Sequence, residues 1–204
     1  MIAIRNLSTG YSKRNPPLLS GFTFTFENRI YGILGESGCG KTTLLRTIAG
    51  LTKPLAGSIE INGKPVSQAN RSEVYMMHQN YTCFDWMNCL DNILIAKKIK
   101  GYVTEEDRRD AREMLNAVRL DGQEEKYPRQ LSGGMRQRLA LARTLFVKPE
   151  IVLMDEPLSA LDFKTRAEMQ QLIMNLHKET QNTIIMVTHS QAEAEKMCDE
   201  IIKL

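Results

Sequence analysis

The sequence predicts an α/β fold built on a parallel sheet. Two runs, Ile151-Val152-Leu153-Met154 and Thr183-Ile184-Ile185-Met186-Val187, are almost wholly apolar and bounded by polar residues, as strands buried on both faces are. Between them residues 163–178 carry a helical pattern. Upstream, Arg29-Ile30-Tyr31-Gly32-Ile33-Leu34 is a short apolar strand that runs straight into glycines, and good helix formers fill 41–49 until Gly50. Strand and helix alternating in this way imply a sheet with helices packed on it.

The remaining elements follow in order. Residues 2–6 read as a strand, and in 22–26 the three phenylalanines Phe22, Phe24 and Phe26 fall on one face at period two, a core stripe. Ser58-Ile59-Glu60-Ile61 and 74–77 are further strands, with Asn62-Gly63 the turn that leads into Lys64-Pro65. From about 80 to 146 the pattern becomes helical, and Thr104-Glu105-Glu106-Asp107 has the spacing of a capping box that opens a helix through Leu115. The expected organisation is a single domain over 1–204, with 1–79 and 147–204 forming the core and about 80–146 a helical insert. No internal repeat or low-complexity linker interrupts it.

Composition excludes several classes. At 204 residues, 42% hydrophobic and 25% charged, the chain can bury a sizeable core and is neither disordered nor fibrous. The formal charge of +3 is small, and the densest basic patches, Lys97-Lys98-Ile99-Lys100 and Arg108-Arg109, lack the interleaved aromatics of a nucleic-acid platform. Cys39, Cys83, Cys89 and Cys198 show no paired spacing and no set of partnering histidines, which argues for reduced thiols and against zinc. No apolar run approaches the ~20 residues a spanning helix needs, and residues 1–6 do not resemble a leader.

Gly35-Glu36-Ser37-Gly38-Cys39-Gly40-Lys41-Thr42 matches G-x-x-x-x-G-K-[ST] between a strand and a helix, the context in which that motif cradles phosphate. Successive N–H groups would curl around the β-phosphate at the helix N-terminus. Lys41 would neutralise β and γ charge, and the Thr42 hydroxyl would ligate Mg2+. The strand at 151–154 ends in Asp155-Glu156, two carboxylates at the end where a parallel sheet opens onto its ligand. Asp155 is expected to hold Mg2+ through water and Glu156 to polarise the attacking water of ATP hydrolysis. A second glycine pair opens another helix in Leu131-Ser132-Gly133-Gly134-Met135-Arg136-Gln137-Arg138, giving a second anion-binding helix start.

That last segment resembles the signature motif of ABC-type ATPases, and the other motifs of the family fall in order along essentially the whole chain: the phosphate loop through Thr43, Gln79, the signature, Asp155-Glu156, Ser159-Ala160-Leu161-Asp162, and His189 in Val187-Thr188-His189-Ser190. The resemblance implies a P-loop NTPase fold with a RecA-like parallel-sheet core, an N-terminal antiparallel β subdomain and an inserted α-helical subdomain. It implies that Gln79 touches Mg2+ and the lytic water, that His189 contacts the γ-phosphate, that Asp162 lies at a dimer interface, and that Tyr11 stacks on adenine. Tyr11 in a Gly-Tyr-Ser turn also reads as a surface residue, and His177, Met169 and Met174 as packing or surface positions.

In this family the site is composite, so the resemblance implies a homodimer or a dimer with a homologous ATPase, in which Ser132, Gly133 and Gly134 of one chain close over ATP held by the other. Separate integral membrane permease subunits are the implied partners, with a substrate-binding protein as a further candidate, and the expected location is the cytoplasmic face of the cell membrane. Tyr81, Phe84 and Trp86 crowd the insert where the family receives its membrane partner, though aromatics there also suit the insert's own core. Residues 79–86 further resemble the importer ATPases for nitrate, sulfonate and taurine, except that Asp85 stands where that group usually has proline and Asn88-Cys89 replaces Thr-Val. The short stretch after His189 predicts no regulatory C-terminal domain. The alternatives are a soluble ABC ATPase in an assembly role and a non-hydrolysing module that uses nucleotide only to dimerise.

Overall fold

The computed structural model describes residues 1–10, 16–68, 73–78 and 83–204, and the chain separates into two compact units. The first comprises Met1–Met76, Pro149–Glu156 and His177–Leu204. It contains an antiparallel sheet of β1 (Ile2–Thr9), β2 (Leu19–Phe26), β4 (Ala56–Ile61) and β5 (Lys64–Pro65), in the order β2-β1-β4-β5. Its second sheet joins β6 (Val74–Met77), β7 (Ile151–Asp155), β8 (Thr183–Val187), β3 (Ile30–Leu34) and β9 (Glu200–Lys203) in the order β6-β7-β8-β3-β9.

The inner strands β3, β7 and β8 are buried at every position, which is why their sequences are continuous rather than alternating. In the antiparallel sheet one face is wet, so β2 alternates exposed residues with Phe22, Phe24 and Phe26. Strand β1 keeps its phase by an irregularity: both of its pairings shift register after Ile4 or Arg5, Asn6 takes φ 47, and Leu7 returns to the core beside Ile2 and Ile4. Those three side chains, Ile59 and Ile61, and Leu44, Leu45 and Ile48 of α1 (Lys41–Ile48) share one cluster with Ile33, Leu153 and Ile185. At ~1.5–3 kcal/mol for each fully buried Leu or Ile, this cluster is the main force holding α1 against the parallel sheet.

The second unit, Met77–Lys148 with Pro157–Leu176, is helical. It holds α2 (Cys89–Ile99), α3 (Glu105–Ala117), a 3-10 turn at Pro128–Gln130, α4 (Gly133–Phe146) and most of α5 (Phe163–Thr180). The Asn88 side chain caps α2 by accepting the Asp91 N–H at 2.8 Å. The fully buried Asn92 accepts the Phe84 N–H at 2.8 Å and donates to the Phe84 and Met87 carbonyls at 3.1 and 3.0 Å, which pins the preceding loop to α2. Phe84 is half-buried with the Arg143 guanidinium 4.9 Å above its ring, whereas Trp86 is 73% exposed. Tyr81 lies outside the described residues.

The capping box read from the sequence is present: Thr104 Oγ1 accepts the Asp107 N–H at 3.0 Å, and Asp107 accepts the Thr104 N–H at 3.0 Å. Lys97 of α2 adds an ion pair to Asp107 at 2.8 Å. That bond, followed by the two from Thr104, holds the Asp107 carboxyl down to about 2, below the ordinary aspartate range. A depressed carboxyl stabilises the fold fully above its unfolded pKa and stops doing so as pH falls through the folded one. Asp107→Asn is therefore expected to lower the thermal midpoint at pH 7 and to flatten the loss of stability between pH 4 and pH 2, as read by circular dichroism melts.

Candidate active site

The phosphate loop occupies the turn between β3 and α1. Gly40 is the N-cap of α1 with φ 103, a left-handed conformation that an L side chain adopts only with strain. From there the Leu44 N–H reaches back to the Gly40 carbonyl at 2.8 Å and the helix begins. Lys41 is 5% exposed, and its ammonium donates to the Gly35 carbonyl at 2.8 Å and the Glu36 carbonyl at 2.7 Å, with Cys39 Sγ at 3.8 Å. The cation is thus held inside the loop's own curl, beside a helix N-terminus that favours negative charge.

Two strand ends face this loop. Thr42 Oγ1 donates to Asp155 Oδ1 at 3.2 Å, bringing the first turn of α1 to the last residue of β7. Glu156 follows with φ 52, the left-handed region that a non-glycine residue enters at a cost, held there by its N–H on the Val187 carbonyl at 3.0 Å. His189, just past β8, places Nε2 2.6 Å from Glu156 Oε1. The His189 ring is half exposed and the Glu156 carboxyl is mostly buried.

The turn carrying His189 is fixed from behind. Thr188 Oγ1 donates to the buried Glu193 carboxylate at 2.5 Å and accepts the Ser190 N–H at 3.1 Å, and Ser190 Oγ accepts the Glu193 N–H at 3.2 Å as the N-cap of α6 (Gln191–Met197). The Thr188 and Glu193 pair leaves no mark in the sequence, where a Thr beside a His and an acid five residues on carry no motif.

Lys41, Thr42, Asp155, Glu156 and His189 are therefore brought together within the first unit, and Gly35, Glu36, Ser37, Gly38, Cys39, Gly40 and Thr43 form or flank the loop itself. Tyr11 and Gln79 lie outside the described residues. Ser132, Gly133 and Gly134 belong to the second unit, at the head of α4, where Ser132 Oγ accepts the Met135 N–H at 3.2 Å as N-cap. His177 bonds Asn182 at 3.3 Å across its ring Nδ1, and Met169 is buried. Burial pushes the Cys83 and Cys89 thiols up to about 11 and the Cys198 thiol up to about 12, which disfavours their thiolate forms. Among the described residues no group of three or more His, Cys, Asp or Glu is arranged to hold a metal ion, and no helix is long and apolar enough to cross a membrane.

A lysine-bearing glycine loop at a helix start, with a strand-end Asp on its threonine and a Glu-His pair beside it, defines a P-loop nucleotide-binding ATPase. The ABC transporter family model matches residues 19–159. Among curated relatives, the uncharacterized ABC transporter ATP-binding protein YtlC of Bacillus subtilis is 46% identical over 168 residues, covering 82% of this chain and 64% of that protein. The spermidine/putrescine import ATP-binding protein PotA of Acidothermus cellulolyticus is 41% identical, covering 98% of this chain and 54% of that one. The chain thus spans between about half and two thirds of the length of these relatives. Two solved dimeric structures of the ATP-binding cassette MJ0796, one in a post-hydrolysis state with ADP and Pi, superpose with a TM-score of 0.91 at 30% identity, over 100% of this chain and 94% of theirs. The chain belongs to the ABC transporter family, and it is an ATP-binding ATPase cassette of that family.

A Cβ added at Gly35 would lie 2.8 Å from Cys39 Sγ and 2.9 Å from the Leu204 carbonyl oxygen, so the loop closes only over a glycine there. Gly35→Ala is expected to cost about 1–3 kcal/mol by overpacking and to weaken nucleotide binding, measured by thermal melts with and without a fluorescent ATP analogue.

Proposed function

We propose that this chain is the ATP-hydrolysing subunit of an ABC transporter, closing in pairs around two ATP molecules to drive substrate movement through separate membrane-spanning permease subunits. The observation that carries this reading is the Glu156 and His189 pair at 2.6 Å, beside the Thr42 and Asp155 pair that abuts the phosphate loop. In this reading residues 1–204 act as one ATPase domain with a helical subdomain at about 80–146, peripheral on the cytoplasmic face of the membrane.

Lys41 and the N–H groups of residues 35–43 bind the β- and γ-phosphates, and Tyr11 stacks on the adenine. The Thr42 hydroxyl and Asp155 carboxylate are hard oxygen donors already within 3.2 Å of each other, a set that suits Mg2+, which takes few protein ligands and completes its shell with water and phosphate oxygens. Gln79 is the third proposed Mg2+ contact. When bound, Mg2+ would neutralise charge on the β- and γ-oxygens. Glu156 orients the attacking water and takes its proton, and His189 holds that carboxylate and reaches the γ-phosphate. Ser132, Gly133 and Gly134 of a second copy, or of a homologous ATPase, close over the same nucleotide with charge-assisted hydrogen bonds. The dimeric MJ0796 cassettes support that pairing. So does Phe163, which follows Asp162 and is 87% exposed.

Relatives named as spermidine/putrescine import ATP-binding proteins support an import role, and in this reading integral membrane permease subunits are the partners, with a substrate-binding protein as a further candidate. The narrower likeness to nitrate, sulfonate and taurine importers rests on residues 79–86, of which 79–82 lie outside the described residues. Trp86, exposed on a loop pinned by Asn92, is the proposed anchor for the permease.

Phosphate release from wild type beside Glu156→Gln, with light scattering in ATP, tests the central reading. Turnover in wild type and an inactive variant trapped as an ATP-bound dimer are expected; a Glu156→Gln variant that still turns over ATP at the wild-type rate sinks the assignment of the base. For the partner surface, Trp86→Ala in a reconstituted transporter is expected to lose transport while basal hydrolysis by the free subunit stays within about twofold, as befits an interface anchor. Equal loss of both activities would refute it.

A further inference from the structure

Gln137 has no assigned part in the site, yet it is a fully buried polar side chain in the middle of the signature segment. A buried amide needs hydrogen-bond partners, and where it finds them shows what it holds. Gln137 Oε1 accepts the N–H of Ala160 at 3.0 Å. Ala160 is itself solvent-exposed, so water could satisfy its N–H; instead that N–H points inward to a side chain of α4.

The approach is close on both sides of this bond. A Cβ added at Gly134 would meet the Ala160 carbonyl oxygen at 3.3 Å and Leu161 Cδ2 at 3.5 Å, so the head of α4 lies directly on the 159–162 turn. The turn is tied down at its far end as well: Arg166 Nη2 donates to the Leu161 carbonyl at 2.7 Å, and Asp162 Oδ1 accepts the Thr165 N–H at 3.1 Å at the start of α5. One residue along α4, Arg138 Nη1 donates to the Val118 and Arg119 carbonyls at 2.9 and 2.7 Å, fixing the same helix to the end of α3.

We propose that Gln137 is a positioning residue: through the Ala160 N–H it fastens the 159–162 turn to the head of α4, so that the glycine pair and Asp162 are presented as one rigid surface. The inference rests on the ATPase reading above, in which both segments meet a second subunit. A cradle that must close on a nucleotide held elsewhere has to keep its donors in register with the groups beside it, and a displacement of about 1 Å can cost up to about a hundredfold in rate. Gln137 supplies that register without touching the nucleotide, so its loss should lower turnover and leave binding at the phosphate loop unchanged.

The test uses the full chain with Gln137→Met, which keeps the length and removes the acceptor, and Gln137→Glu, which keeps an acceptor at the same reach. Hydrogen exchange at the Ala160 amide is read beside kcat and KM for ATP. In Gln137→Met we expect Ala160 exchange to quicken at least about tenfold as its opening becomes easier, with kcat down about tenfold and KM within about twofold. Gln137→Glu should restore most of both. Unchanged Ala160 exchange in Gln137→Met overturns the proposal, and so does a joint fall of kcat, KM performance and thermal midpoint that Gln137→Glu does not relieve. If Gln137→Met fails to fold, Gln137→Asn, one methylene too short to reach Ala160, takes its place against Gln137→Glu with the same criteria. A wild type that hydrolyses no ATP would count against the proposed function, and Ala160 exchange would then decide on the clamp by itself.

Discussion

The parallel register of β3, β8 and β7 is the constraint on which the site depends. Ile33 pairs with Val187, and Val187 pairs with Asp155, so three strands end at one level. The ladder then runs one step past the strands: the Thr188 N–H bonds the Ile33 carbonyl at 3.3 Å and the Glu156 N–H bonds the Val187 carbonyl at 3.0 Å. A slip of one residue in either pairing would turn every side chain of that strand over and carry Asp155 or His189 away from the loop. A slip would also draw Asp155 or Thr188 into the sheet and misfit the closely packed Val152, Leu153, Ile184 and Ile185, so the apolar core and its polar ends set the chemistry's geometry.

On that frame, local strain does the aiming. Glu156 departs from the strand in a left-handed conformation, which turns its carboxyl toward His189 rather than along the strand direction. Such a backbone costs of order 1–3 kcal/mol and persists only where its surroundings over-determine it. Here the Val187 carbonyl on one side and the Thr188, Ser190 and Glu193 network on the other hold both partners. Lys41 is held by a different device, two carbonyls of its own loop, so that the cation is preorganised and already largely stripped of water.

Elements whose residues obey one period could be read from the sequence. Strands β3, β7 and β8, the glycine loop, the Phe22, Phe24 and Phe26 face and the Thr104 capping box all appear where local chemistry puts them, because burial on both faces, alternation and cap spacing each leave a local mark. Strand β9 left none: Glu200-Ile201-Ile202-Lys203 is four residues long and only partly buried, and it becomes a strand through its pairing with β3. The return of Leu7 to the core is equally silent, since the irregularity after Ile4 is a property of two pairings and not of β1 alone. Within the site, Lys41, Thr42, Asp155 and Glu156 followed from motif and context. The pairing of His189 with Glu156, the support from Thr188 and Glu193, and the reach of Gln137 to Ala160 join residues far apart in the chain or unmarked by any pattern.

The two glycine-led helix starts differ in kind, and the difference bears on why the chain would act in pairs. The loop at 35–42 is self-contained: its lysine is buried, its first glycine is hemmed in by Cys39 and Leu204, and a carboxylate from β7 meets its threonine. The head of α4 is the opposite. Ser132 and Gly133 are exposed, and a Cβ built on Gly133 would meet nothing within 4 Å among the described residues, so an anion resting there touches those residues on one side alone. Backbone N–H groups facing open water bind phosphate weakly, because water competes for the same donors and screens the helix charge. Such a cradle gains strength only when another body covers it and excludes that water. A nucleotide already seated in the loop of a second cassette would bring its own cover, which makes closure of the two surfaces and tightening of the hydrogen bonds a single event.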